Sequence, residues 1–217
     1  MNFKKSDKFL LIILGFDIIF IVFSLFDKFS SLNFYYFAVE NDYGFAEKFQ
    51  YLKFIGIAII SFILAVKSRS SNFLFFMFIP IYLYLDDSRL LHERFGTKIV
   101  SFFYKGSPLD TLIKDFRYQD IGEIVYILLI SVILILIFLI CYKLSDFFER
   151  YFLKKILKLL IIFGFFALFI DSIHQLSTGY LYNLITVIED GGEMISISFI
   201  TANFFKYLNE DRNKYFN

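Results

Sequence analysis

Residues 122–142 read GEIVYILLISVILILIFLICY, with one ionisable carboxyl, Glu123, at the start. As a helix at 1.5 Å per residue this run covers about 31 Å, which matches the roughly 30 Å hydrocarbon core of a bilayer. Similar runs occupy 9–26, 51–66, 72–91, 156–176 and 188–207. The expectation is an all-α integral membrane bundle of about six transmembrane helices, forming a single domain over 1–217. Composition agrees, because a chain of 217 residues with 58% hydrophobic residues and 33 Phe cannot hide its apolar side chains in one soluble core. The bilayer is thus the first expected partner. A net charge of +1 without a basic stripe excludes a nucleic-acid partner. A protein partner or a homo-oligomer stays open. Cys141 stands alone, so there is no disulfide framework.

Lys4, Lys5 and Lys8 precede the first run. That run is longer than a signal-peptide core and no small-residue cleavage pattern follows, so it reads as a retained first helix. The third run contains Pro80, which predicts a kink tolerated among neighbouring helices, and ends in Asp86-Asp87-Ser88-Arg89. Segments 27–50 and 92–121 read as loops, the second with an interfacial helix around 97–105.

Orientation follows from Lys and Arg near the spans. With the N-terminus inside, thirteen bases (among them Lys67, Arg69, Lys143, Arg150 and Lys206) and five acids lie on the inner side, a balance of +8. Nine bases and fifteen acids fall outside, a balance of −6, with Asp17 alone in mid-span. Both termini are therefore expected in the cytoplasm.

This orientation brings polar groups of several spans to one depth. Asp171 follows Lys158 by thirteen positions and Glu193 precedes Lys206 by thirteen, which places both roughly 20 Å above the inner charge layer. Asp86, His174 and Glu189 come to about 24 to 26 Å by the same rule, while Glu47 and Glu123 begin helices at the outer interface. A central Asp or Lys costs about 2.5–3.5 kcal/mol on insertion scales, so such carboxylates must face one another, a cation or water. Local spacing agrees. Asp171 and His174 are i,i+3 neighbours on a face continued by Ala167 and Gly164, small residues that permit close packing. Glu189 and Glu193 are i,i+4 neighbours beside Asp190, and Gly191 and Gly192 either loosen a helix start or let backbone approach a ligand. Asp86 and Glu93 are i,i+7 with Arg89 between them as the expected counter-ion, and Asp87 and His92 are adjacent.

The strings Leu85-Asp-Asp-Ser-Arg-Leu-Leu-His-Glu-Arg-Phe-Gly96, Asp171-Ser-Ile-His174 and Glu189-Asp-Gly-Gly-Glu-Met194 resemble a family of uncharacterised bacterial multipass membrane proteins. In that family an Asp-Asp-x4-His-Glu string, an Asp-x-x-His pair and a Glu-Asp-Gly-Gly-Glu-Met string follow in this order, and Asp42 to Gln50 belongs with them. The resemblance covers about 42 to 200. It implies a multipass protein of the bacterial inner membrane and brings no assigned activity. Better-known patterns fit poorly. His92-Glu93 is followed by Gly96, where a zinc protease needs a second His. Ceramidase-like hydrolases need three zinc-binding His, and this chain has two in all. Di-iron bundles use paired Glu-x-x-His motifs, and Arg89 stands where one acid belongs.

The leading expectation is a metal site near the periplasmic face, with hydrolysis as its chemistry. His92, Asp171, His174 and Glu189 are the candidate ligands of a divalent ion (Zn, Fe or Mn), and Glu93 and Glu193 the candidate bases. Asp86, Asp87, Arg89, Glu123 and Asp190 complete the polar cluster. Two other readings use the same residues: a small cation- or proton-coupled transporter, and an accessory subunit whose cluster only fixes helix packing. Each string also has a plain structural reading, as a charged helix end, a hydrogen-bonded pair or an acidic turn.

Overall fold

The computed structural model of the protein describes residues 5–30, 32–41, 43–113 and 116–209. Lys4, Asp42, Glu210, Asp211, Arg212, Lys214 and both chain ends lie outside the described residues. The fold is all-α: α1 (Lys5–Phe29), α2 (Phe45–Ser68), α3 (Asn72–Arg89), α4 (Leu91–Phe103), α5 (Tyr118–Leu144), α6 (Phe147–Gly164), α7 (Asp171–Leu176) and α8 (Tyr180–Asn209). Two short strands, Thr111–Ile113 and Phe116–Arg117, pair antiparallel between α4 and α5. Local chemistry sets the boundaries. Asp146 caps α6 by accepting the Glu149 N–H at 2.8 Å. Arg117 and Asp120 close the start of α5, with Arg117 N–H donating to Asp120 Oδ2 at 2.6 Å. Leu90 ends α3 in the left-handed region at φ 51°, so the chain turns there before α4.

Among the described residues, four helices are long and apolar enough to cross a membrane: Lys5–Phe29, Phe45–Ser68, Tyr118–Leu144 and the continuous Phe147–Leu176. The last contains a π-helical stretch, Phe165–Ile170, between α6 and α7. The helices α3 and α8 carry acidic residues that dilute their hydropathy. In α8 these residues lie on the helix at the centre of the bundle, which packs on α1, α2 and α6. Phe73, Leu153, Ile156, Ile197 and Phe204 form the tightest part of the core. Phe152 stands edge-on to Phe204 with ring centroids 5.0 Å apart.

Several expectations change. The second helix begins at Phe45 and the last at Tyr180, each well before the predicted start. Gly191 and Gly192 are therefore mid-helix and open no helix start. A Cβ on Gly191 would meet Ile21 at 3.0 Å, and one on Gly192 would enter the Phe166 ring. These glycines admit α1 on one side of α8 and the π-helical stretch on the other. The helix expected around 97–105 is α4, which begins at Leu91 and so includes His92 and Glu93. It is amphipathic and, at 13 residues, too short to span.

Asp17 is not alone. Lys53, two turns into α2, donates to Asp17 Oδ1 at 2.9 Å, to the Met194 carbonyl at 2.8 Å and to Ser198 Oγ at 3.1 Å. Ser198 Oγ in turn donates to Asp17 Oδ2 at 2.5 Å. Asp17 and Ser198 are 0% exposed and Lys53 4%. This ion pair joins α1, α2 and α8.

Candidate functional site

The π-helical stretch widens the turn ahead of Asp171, and wide turns of this kind recur at functional sites. Beyond it, Asp171 and His174 on α7 face Glu189 on α8, with one ligand atom from each within 4.8 Å of the others. The hydrogen bonds around His174 constrain its ring. Thr186 Oγ1 donates to the Tyr182 carbonyl at 2.9 Å, so its single proton is used. It therefore accepts from His174 Nε2–H, 2.8 Å away. His174 Nδ1 then points at the carboxylates, 2.9 Å from Glu189 Oε2. That approach lacks hydrogen-bond alignment, and Glu189 Oε2 is a buried oxygen with no donor. An imidazole lone pair against a carboxylate is repulsive unless positive charge lies between them, as a metal ion or a second ring proton. The donor set of one nitrogen and two carboxylates suits Zn, Fe or Mn. A ring N–H held by a neighbouring oxygen is the usual support of a metal-binding His. Gln175 Nε2 donates to both Asp171 oxygens at 3.1 Å and fixes that carboxylate.

A second polar group stands on α3 and α4. His92 Nδ1 lies 3.1 Å from Asp86 Oδ2, and Tyr82 OH donates to Asp86 Oδ1 at 3.1 Å. Burial alone would lower the His92 pKa. Asp86, helped by Glu123 and Glu93, outweighs it and holds the pKa above the usual 6.5. The group is positioned by close contact of α4 with α5. A Cβ on Gly122 would lie 2.2 Å from the Gly96 carbonyl oxygen, and one on Gly96 2.7 Å from the Glu123 backbone nitrogen. Gln119 Nε2 donates to Glu123 Oε1 at 2.8 Å.

Both groups border one cavity of about 630 Å³, within the range of small-molecule sites. Asp86, Asp87, His92 and Glu93 line it from α3 and α4, and Glu123 from α5. Asp171, Glu189, Asp190 and Glu193 line it from α7 and α8. Nine carboxyl side chains in all face this space with one arginine, Arg117. The structure thus brings most of the predicted cluster together and separates two members of it. His92 does not join the convergent ligand atoms, because Asp86 holds it on α4. Arg89 is exposed and does not line the cavity. The left-handed Leu90 breaks the helix on which Arg89 and Glu93 would have shared a face. Gly164 and Ala167 line the cavity and make room, where close packing was expected; a Cβ on Gly164 would have nothing within 4 Å.

The family described as "Domain of unknown function (DUF8692)" matches residues 45–207. The chain belongs to this family. Every residue that lines the cavity, from Gln50 to Glu193, falls inside the DUF8692 stretch, whereas α1 and its Asp17 precede it. Neither a curated protein nor a solved structure matches the chain.

Arg117, Asp120, Tyr82, Gln175 and Thr186 take part in this arrangement without having been predicted. Gln175 was findable, since it stands i+4 from Asp171. Thr186 was not, because its bond to His174 depends on how two helices are rotated.

Proposed function

We propose that this DUF8692 protein is a six-span membrane protein, termini inside, that binds a divalent metal at Asp171, His174 and Glu189 and uses it hydrolytically. The observation that carries this reading is the convergence of those three side chains around a ring nitrogen whose partner nitrogen is already committed to Thr186. A metal so held supplies a water of lowered pKa. Three protein ligands leave a position for that water, as in catalytic zinc sites. The residues of the chain do the remaining work. Glu193, one turn from Glu189, is the candidate base. His92, with Nδ1 held by Asp86, has its other ring nitrogen available to carry a proton. Six crossings are supported by the central place of α8, whose acidic face is shielded by protein, and by the charge balance across the spans.

Elemental analysis of the full chain purified in detergent tests the site. The expected result is stoichiometric metal, lost in His174→Gln with a nearly unchanged melting temperature. Metal-free wild-type protein, or full metal content in a destabilised variant, overturns it. Metal-free protein with pH-dependent ion flux in proteoliposomes would place the same acids in a transporter. A reporter enzyme active only in the periplasm should be silent when fused after Asn217, and a strong signal there overturns the orientation.

A further inference from the structure

The cavity is not polar throughout, and its two ends differ in a way that selects an occupant. Along α3 the lining residues pass from Ile79 to Asp86, and along α6 and α7 from Leu157 to Asp171. On α5, which runs the opposite way, they pass from Asp120 to Phe138. All the carboxylates therefore gather at one end. The other end is walled by α5, through Ile127, Leu134 and Phe138, and by α6, through Leu157, Leu160 and Gly164. From Ile127 to Phe138 this wall is roughly 16 Å long, about the depth of one leaflet of the hydrocarbon core.

The apolar end also opens sideways. Ile135 and Ile161 line the cavity, yet they are 52% and 63% exposed on the outer surface of the bundle. The helices α5 and α6 touch sparsely, although only Ser145 and Asp146 join them, and α5 takes its close packing from α4. In a bilayer this gap faces acyl chains.

We infer that the cavity holds a bilayer amphiphile, its hydrocarbon chain between α5 and α6 and an amine-bearing headgroup against the acidic end. An apolar slot open to lipid fits a chain, and a surplus of carboxylates over one arginine repels an anionic headgroup and attracts an ammonium. This inference rests on the cavity being the working site of the proposed metal chemistry, and it names the substrate class: an aminolipid that enters from the membrane. The residues that hold the chain are distinct from those that hold the metal, so the two ideas can fail separately.

Gly164 supplies the test, because it lines the cavity and a Cβ added there meets nothing within 4 Å. The full chain in lipid vesicles is photolabelled with phosphatidylethanolamine carrying a diazirine on its acyl chain, and the labelled positions are mapped by mass spectrometry. The expected labels fall on Leu134 and Leu160 inside the cavity as well as on the outward-facing Leu136. Gly164→Leu should remove the inner labels, leave the Leu136 label, and keep the metal content of the wild type. Ala167→Leu serves the same purpose should Gly164→Leu fail to accumulate. The same probe built on phosphatidylglycerol should label Leu134 and Leu160 more weakly. Unlabelled inner positions, inner labels that persist in both filled variants, or equal labelling by the two probes would overturn the inference. Labelled protein without metal would remove the metal reading and leave the lipid site standing.

Discussion

Two clusters of ionisable side chains lie on opposite sides of α8, and they are built on opposite principles. The Asp17–Lys53–Ser198 cluster is charge-balanced and dry, and its donors and acceptors meet at 2.5 to 3.1 Å. The Asp171–His174–Glu189 cluster has more acid than base, borders a large cavity, and leaves Glu189 Oε2 without a donor. A buried pair that satisfies itself can fasten three helices. A buried group that does not satisfy itself costs stability, and such costs persist where a ligand or a reaction requires them. The difference also runs along the chain, since the cavity lies within the DUF8692 region while Asp17 comes from the helix before it.

The largest expected effect breaks the balanced side. Lys53→Met leaves Asp17 buried and unpaired, and breaking a buried ion pair in this way costs about 3–5 kcal/mol. The protein should lose most of its folded yield and melt well below wild type. Adding Asp17→Leu should restore much of the loss, because removing both charges is far milder than removing one. A double variant no more stable than Lys53→Met would show that the charges are not the source of the effect.

Next comes Gly122→Ala, which forces α4 away from α5. Overpacking of this kind costs about 1–3 kcal/mol. A melting temperature equal to wild type would mean that the contact at Gly96 gives way freely. On the acid-rich side the sign reverses. Glu193→Gln removes one acid group from beside Glu189 and Asp190, and is expected to raise stability by about 0.5–1 kcal/mol in metal-free protein, as relief at a functional site commonly does. A lower melting temperature would place Glu193 among the fastening residues.

The smallest effect is the pH dependence of the Asp86–His92 pair. The folded pKa of His92 is raised, so the pair contributes fully below about 6.5, the unfolded value, and its contribution fades as pH rises through the higher folded value. The size is at most about 1 kcal/mol for a partly exposed pair. Melts across this window should show a decline in wild type that is absent in Asp86→Asn. The same decline in both proteins would assign it to other groups.

The apolar helices were legible because long runs of exposed apolar side chains announce themselves. The run 122–142 lies wholly inside α5, and three further predicted runs lie inside the other helices able to cross a membrane. Hydropathy was a poor guide to α8 for the same reason, since its acidic stretch meets protein and a cavity. A second helix read from residue 51 leaves Lys53 among the outer charges; the actual start at Phe45 puts Lys53 two turns in. Asp17 was visible, but a partner 36 residues away on another helix leaves no periodic signal. The acids that share the cavity could be grouped by depth along their helices. Which histidine would meet which carboxylate depends on helix rotation about the long axis, which spacing does not encode across a break such as Leu90.

The π-helical stretch at Phe165–Ile170 has a genetic consequence. Loss of one residue from it would let the chain close into ordinary α-helical turns, and the segment would stay long and apolar enough to cross the bilayer. A π-helical turn holds about one residue more than an α-helical turn, so everything after the deletion would keep nearly its present rotation relative to α6. Asp171 and His174 would still face α8, and only the wide turn ahead of them would be lost. The stretch is thus one inserted residue absorbed where it stands, and a relative shorter by one residue here would keep the motif and the direction of its side chains, whereas a deletion elsewhere in α6 would turn both away by about 100°.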